Sequence, residues 1–167
     1  MRVYLVRHAE AVDRIGTMPD SARYLAARGR ASFREAAARF RGTGATPDFL
    51  FTSPCIRAVQ TAEILSEAIR YEGTVIVAPQ LSPGFDVDGL NAILDECPGA
   101  REVALVGHEP DFGRVLTLLL SLKSPYALRK GAIAALDVPD SGKRAHAGFA
   151  WLLEGEKRIS EVSGLSG

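Results

Sequence analysis

The chain is poor in cysteine and histidine, and it has no excess charge of either sign. Its 20 basic residues balance its 20 acidic residues, which argues against a general binder of nucleic acid or of anionic membranes. The two cysteines, Cys55 and Cys97, form no disulfide framework and have no metal-ligand spacing, so a reduced cytoplasmic setting is expected. No apolar run approaches the roughly 18 residues of a membrane span, and charges interrupt the N-terminal stretch where a signal peptide would lie.

Apolar segments rich in β-branched residues alternate with segments of helical spacing, and the length of 167 residues fits one domain. Strands are predicted at residues 2–7, 48–52, 74–78, 102–106, 132–138 and 148–153. Helices are predicted at residues 21–41, 54–71, 88–96 and 110–122. This order predicts an α/β domain with a mainly parallel central sheet, helices on both faces and the last two strands as an antiparallel pair at an edge.

Glycine, serine and proline mark three expected boundaries. Gly29 is expected to divide the first predicted helix into a short turn and a longer helix. Ser53 is predicted to cap a helix whose first residue is Pro54. Residues 1–162 are expected to form the domain, and residues 163–167 to be a mobile end.

Basic side chains stand where three of the predicted strands end. Arg7 and His8 end the first strand. Arg57 lies in the first turn of the helix that follows the second strand, and His108 follows the strand at residues 102–106. Because ligands bind outside the carboxyl ends of the strands in open parallel sheets, we expect these side chains to meet at one edge.

The position of Arg57 indicates what binds there. A helix N-terminus carries partial positive charge, so a cation at that point, beside Arg7, is unfavourable unless an anion joins the two. The arginine fork pairs well with phosphate oxygens. Taken singly, such residues are more often solvated side chains or caps, and Cys55 more often packs than reacts. Their conjunction predicts a phosphate site, with the third histidine, His146, at the surface.

Three segments in this order resemble the signatures of the histidine phosphatase superfamily, which has the phosphoglycerate mutase-like fold. The segments are VRHAEA at residues 6–11, TSPCIRAVQTAE at residues 52–63 and LVGHEPDF at residues 105–112. The short length and the D-x-x-R-x-L-x-x-x-G pattern from Asp20 to Gly29 are similar to the compact SixA-type phosphohistidine phosphatases.

The resemblance implies a mechanism through a phosphorylated enzyme. His8 would attack phosphorus as a neutral imidazole, and water would then hydrolyse the phosphohistidine. Arg7, Arg57 and His108 would bind the phosphoryl oxygens and offset the charge of the transition state. The environment would keep His8 neutral and His108 cationic, with the arginines lowering the pKa of His8 and bound phosphate raising that of His108. Neither a metal nor another cofactor is expected.

The chain departs from the superfamily pattern in two places. Ala9 stands where the usual signature has glycine. Longer members carry a glutamate after the third strand that protonates the leaving group, and the segment QLSPGFDVDGL has no clear equivalent. Asp86, Asp88 and Asp20 are the candidate proton donors. Because imidazole leaves more readily than an alkoxide without an acid, we expect the substrate to be phosphohistidine on a protein and the product to be inorganic phosphate.

Three other functions remain open at this point. A small-molecule phosphomonoesterase of broad specificity would use a true acid at one of the aspartates, whereas a phosphoglycerate mutase is less expected because the chain is short. A phosphate-binding scaffold would keep the pocket without chemistry. An ordinary α/β interaction domain would have these strand ends by coincidence and would not bind phosphate.

Overall fold

The computed structural model describes residues 1–139 and 144–165 and contains one sheet flanked by helices. Its strands are β1 Arg2–Arg7, β2 Phe49–Thr52, β3 Val75–Val77, β4 Glu102–Gly107, β5 Ile133–Asp137, β6 Gly148–Glu154 and β7 Lys157–Ile159. Its α-helices are α1 Ala27–Gly42, α2 Ile56–Ile69, α3 Val87–Asp95 and α4 Asp111–Leu119. Short 3-10 helices lie at Asp20–Ala22, Pro79–Leu81 and Val162–Leu165. No helix in the described ranges is both long and apolar enough to cross a membrane.

The strand order is β3-β2-β4-β1-β5-β6-β7, and the first four strands are parallel. The last three are antiparallel, with β5 paired to β1 and to β6, and β6 paired to β7. This arrangement confirms the predicted α/β fold with a mainly parallel sheet. The antiparallel part is larger than predicted, because β7 adds an edge strand whose sequence, KRI, has too few apolar residues to reveal it.

Both faces of the sheet are covered, which explains the unbroken apolar run at the start of the chain. Val3 and Leu5 of β1 pack in the core that α3 and α4 cover. Tyr4 and Val6 point to the opposite core, which α1 and α2 cover. Successive residues of a strand face opposite sides, so a strand buried on both faces is apolar at every position.

The first predicted helix is divided, but not at Gly29. The α-helix begins at Ala27, so Gly29 lies in its first turn. The break precedes it at Leu25, which is buried, forms an isolated bridge with Ala11 and donates its N–H to Gln60 Oε1 at 2.8 Å. These tertiary contacts outweigh the local helix propensity of the segment.

The predicted helix start at Ser53 and Pro54 is wrong. Helix α2 begins at Ile56, after Cys55, and no side chain caps it. Ser53 accepts a hydrogen bond from the Cys55 N–H at 3.3 Å, before the helix begins, and its hydroxyl is used in the site described below.

The end of the chain packs further than predicted. The expected boundary after residue 162 falls inside the 3-10 helix Val162–Leu165, and Leu165 is buried in the core. Residues 166–167 lie outside the described residues.

Two glycines of α1 make a matched test of the packing between that helix and the loop after β1. A Cβ on Gly29 would clash with the backbone carbonyl of Glu10, lying 2.9 Å from its carbon, whereas a Cβ on Gly42 would meet nothing within 4 Å. We expect Gly29→Ala to lower the free energy of unfolding by about 1–3 kcal/mol. Gly42→Ala should leave it unchanged or raise it by up to about 1 kcal/mol. Urea denaturation measures both, and equal effects would contradict this packing.

Candidate active site

The carboxyl ends of β2, β4 and β1 lie side by side because these strands are neighbours in the sheet. Arg57 reaches both histidines from the first turn of α2. Its Nε donates to His8 Nε2 at 3.2 Å, and its Nη2 lies 3.5 Å from His108 Nδ1. The two imidazole rings have their centroids 5.2 Å apart. The structure thus brings together residues from three separate segments, and Arg7 ends the strand that leads into His8.

The hydrogen bonds of His8 define which of its nitrogens carries a lone pair. Nδ1 lies 2.7 Å from the Ala9 carbonyl oxygen, which can only accept, so Nδ1 carries the proton. Nε2 is therefore the basic nitrogen, and it accepts from Arg57. The Ala9 N–H donates to Thr61 Oγ1 at 3.1 Å, and that hydroxyl donates to the Arg57 carbonyl at 2.7 Å. The backbone at Ala9 thus orients His8 without glycine.

Burial keeps His8 neutral. The pKa of His8 is lowered to about 3, and burial is the largest cause, against a smaller opposing effect of the Ala9 carbonyl. His108, Arg57 and Arg7 make smaller contributions to the same lowering. The sequence predicted the lowering and attributed it to the arginines, but desolvation is the larger cause.

His108 is also neutral, which differs from the expected cation. It is 3% exposed, and burial together with Arg57 lowers its pKa to about 4, although Asp111 and Asp20 oppose the shift. A phosphate dianion bound beside it would favour the imidazolium, so the expectation applies to the phosphate complex.

Ser53 belongs to this site, and sequence reasoning missed it. The residue is fully buried, and its Oγ lies 2.7 Å from His108 Nε2. This contact fixes the orientation of the His108 ring. The available signal was the TSP segment at the end of β2, but serine before proline is also typical of a helix start.

Arg7 is held by the segment that precedes β5. Its Nη1 donates to the Leu128 carbonyl at 2.5 Å. Among the described residues, its buried Nε has no hydrogen-bond partner. Burial lowers the pKa of Arg7, and the Glu109 carboxylate opposes that effect. A buried N–H without an acceptor is one that an anion's oxygen would satisfy.

Asp20 is the candidate proton donor that touches the site. Its carbonyl accepts from Arg57 Nη1 at 2.6 Å, and its Oδ2 accepts from Arg57 Nη2 at 2.8 Å. The hydrogen bond from Arg23 and then that from Arg57 lower the pKa of Asp20. Asp20 is therefore ionised near neutral pH in this arrangement, and it serves as the partner of Arg57.

The other two candidate donors lie elsewhere. Asp86 is the N-cap of α3, where its Oδ1 accepts from the Gly89 N–H at 2.9 Å. Asp88 follows in the first turn of the same helix, and both aspartates are exposed. In residues 1–139 and 144–165, no hydrogen bond or ion pair joins either carboxylate to the histidines or arginines of the site.

No three His, Cys, Asp or Glu side chains among the described residues are grouped as a metal would require.

Comparison with known proteins agrees with this geometry. Residues 3–82 match the model of the histidine phosphatase superfamily (branch 1), a range that includes Arg7, His8 and Arg57. The phosphohistidine phosphatase SixA of Escherichia coli (strain K12) is 28% identical over 144 residues, which covers 85% of this chain and 88% of that protein. An uncharacterized protein of Picosynechococcus sp. is 36% identical over 120 residues, which covers 68% of this chain and 69% of that protein.

A solved structure extends the likeness to the part of the chain that contains His108. The protein histidine phosphatase SixA complexed with tungstate superimposes with a TM-score of 0.81 at 26% identity, covering 93% of this chain and 97% of that one. The chain belongs to the histidine phosphatase superfamily, a class of phosphatases, and within it to the SixA type.

The two histidines of the site predict how stability depends on pH. Their pKa values are about 3 and about 4 in the folded protein, below the ordinary value near 6.5, so the unfolded chain binds more protons between these limits. The free energy of unfolding should therefore fall as the pH drops from about 6.5 to about 5.

Urea denaturation at several pH values in that window measures the loss. His108→Asn removes one of the two groups and should flatten the dependence. His146→Asn is the matched control, because His146 is exposed, and it should follow the wild type. A wild type with constant stability across the window would contradict the neutral state of the two imidazoles.

Proposed function

We propose that this protein is a metal-independent phosphatase that removes the phosphoryl group from phosphohistidine on a protein substrate. The observation that carries the proposal is the Nε2 lone pair of His8, oriented by the Ala9 carbonyl and held 3.2 Å from Arg57 Nε. A neutral imidazole facing a buried guanidinium suits nucleophilic attack on a phosphoryl group better than it suits a structural role.

The reaction has two displacements. His8 Nε2 attacks phosphorus and forms a new N–P bond, while the N–P bond of the substrate breaks and its imidazole leaves with a proton from solvent. Water then attacks the phosphorus on His8, the N–P bond returns its electron pair to Nε2, and inorganic phosphate is released. No oxidant or reductant is required, and the residues other than the nucleophile His8 supply position and charge.

Arg57 has two tasks in this scheme. Before the reaction, its Nε–H donates one hydrogen bond to His8 Nε2 and holds that nitrogen in place. When the nucleophile attacks, that N–H is released to a phosphoryl oxygen. Arg7 and His108 bind the remaining oxygens, and His108 takes up a proton as the dianion binds. Charges placed in a dry site before the reaction stabilise the transition state most effectively.

The choice of phosphohistidine depends on the leaving group. Asp20 is ionised beside Arg57, and Asp86 and Asp88 lie outside the contacts of the site. Imidazole titrates near neutral pH and leaves without a strong acid, whereas an alkoxide does not. The likeness to SixA, named a phosphohistidine phosphatase, supports the same substrate class. We also propose a cytoplasmic setting, in keeping with two buried, unpaired cysteines.

The direct test compares two kinds of substrate. The purified protein is incubated in EDTA with a phosphohistidine-bearing protein and, separately, with a panel of phosphomonoesters. We expect His8-dependent loss of phosphohistidine and little turnover of the monoesters. His8→Ala should abolish the activity while phosphate binding partly survives. His146→Ala, which removes an exposed histidine, should retain full activity.

The other results have definite meanings. Fast turnover of monoesters would replace the proposal with a small-molecule phosphatase. Binding of phosphate without turnover of either substrate would indicate the scaffold function. Hydrolysis that survives His8→Ala would remove His8 from the mechanism.

One observation favours the monoesterase as a second candidate. The Asp20 carboxylate contacts Arg57 at 2.8 Å, so a bound dianion near it would raise the pKa of that carboxyl and make it a proton donor.

Asp20→Asn separates the two functions. If Asp20 only partners Arg57, the loss of its negative charge should tighten phosphate binding by about two- to fivefold and leave phosphohistidine turnover within about threefold of wild type. If Asp20 is a general acid, the kcat for monoesters should fall by about 100-fold or more. Steady-state kinetics and calorimetric phosphate titration of the same preparation decide between these outcomes.

A further inference from the structure

Glu109 follows His108 directly and is half-buried between α4 and the segment that precedes β5. Its Oε1 accepts a hydrogen bond from the Leu128 N–H at 3.2 Å. The backbone N–H of Gly113, in the first turn of α4, lowers the pKa of this carboxylate. The side chain therefore bridges the start of a helix and a loop that are distant in the sequence.

Leu128 connects this carboxylate to the phosphate site. Its side chain is fully buried, and its carbonyl oxygen accepts from Arg7 Nη1 at 2.5 Å. The same residue thus receives a hydrogen bond from Arg7 on one side and donates one to Glu109 on the other. Gly131, three residues further on, donates its N–H to the carbonyls of Arg7 and His8, each at 3.2 Å. The loop lies directly on the strand end that carries the nucleophile.

Gly113 permits the close approach that this bridge requires. A Cβ at that position would lie 2.7 Å from Glu109 Oε2 and would also clash with the carbonyl oxygen of Tyr126. Glycine therefore lets both the carboxylate and the loop settle against the first turn of α4.

Charge favours the same arrangement. Burial raises the pKa of Glu109, and the Arg7 cation lowers it. Burial lowers the pKa of Arg7, and the Glu109 carboxylate raises it. Each charge therefore offsets part of the desolvation of the other, which is the condition for keeping a guanidinium half-buried at this edge of the sheet.

We propose that Glu109 is a positioning residue for Arg7: it anchors Leu128, whose carbonyl holds the Arg7 guanidinium where a phosphoryl group binds. The role is indirect, because the carboxylate accepts from the Leu128 N–H and reaches Arg7 through Leu128. The inference rests on the proposed function only in taking Arg7 as a ligand of phosphate.

The test measures anion binding, so it does not depend on which phosphorylated compound is the substrate. Inorganic phosphate and tungstate are titrated calorimetrically into wild type and variants near pH 7. Glu109→Ala removes the anchor and should weaken binding of both anions by about three- to tenfold, the equivalent of one hydrogen bond. Glu109→Gln keeps an oxygen that can accept from Leu128 and should stay within about threefold of wild type.

Glu154, at the end of β6, provides a matched control because it binds the same loop. Its carboxylate accepts from the Arg129 N–H at 3.1 Å and from the Tyr126 hydroxyl. Within the described part of the chain, it makes no hydrogen bond to Leu128, whose N–H donates to Glu109. Glu154→Ala therefore removes two contacts of the loop but leaves the Leu128 carbonyl, the acceptor for Arg7, anchored by Glu109. Anion binding should stay within about twofold of wild type.

Glu109→Asp keeps the charge and shortens the side chain by one methylene, so it should weaken binding as the alanine variant does. It also serves as the test if Glu109→Ala does not fold. With either substrate class, the anchor variants should raise KM more than they lower kcat.

Several results would overturn the inference. Wild-type anion affinity in Glu109→Asp and Glu109→Ala would contradict it. A loss of anion affinity in Glu154→Ala equal to that in Glu109→Ala would also contradict it, because disorder of the loop would then explain both losses. Tighter binding in Glu109→Ala would mean that only the negative charge matters. A wild type that binds neither anion would remove the phosphate site itself. Normal anion binding with no phosphohistidine turnover would refute the proposed function and leave this inference standing.

Discussion

The pairing of the buried Arg57 guanidinium is the interaction on which the site depends. Arg57 is 5% exposed and sits at the positive end of α2, where a cation is disfavoured. Its three nitrogens meet the Asp20 carbonyl, the Asp20 carboxylate and His8 Nε2. A buried charge needs such partners to be stable. The loop that carries Asp20 and the strand end that carries His8 are thereby drawn to the same point.

The neutral state of the two histidines follows from this arrangement. Because the site is buried and contains two guanidiniums, an uncharged imidazole is favoured at both His8 and His108. In the proposed mechanism, one of these neutral rings attacks phosphorus and the other gains a proton as negative charge arrives. The two rings differ in their hydrogen-bond partners, which are the Ala9 carbonyl for His8 and the Ser53 hydroxyl for His108.

The parts that sequence reasoning missed share a physical reason. Ser53 looked like a helix cap because serine and proline have that local preference, yet its hydroxyl is used by a residue 55 positions away. Glu109 and Leu128 are 19 positions apart in the sequence, and no local sequence pattern predicts the hydrogen bond between them. Asp86 was a candidate acid because it follows the third strand. In the structure, its carboxylate caps the N-terminus of α3 instead.

The sequence by itself determined the α/β class and the mainly parallel sheet, in which the strand ends that lead to Arg7, His8, Arg57 and His108 share one edge. It could do so because burial on both faces requires apolar strands and because parallel strands place their carboxyl ends together. Only the tertiary structure decided which carboxylates reach the site, which histidine nitrogen carries the lone pair and how far each imidazole is desolvated. Those properties depend on contacts between segments distant in sequence, whose energies no local pattern encodes.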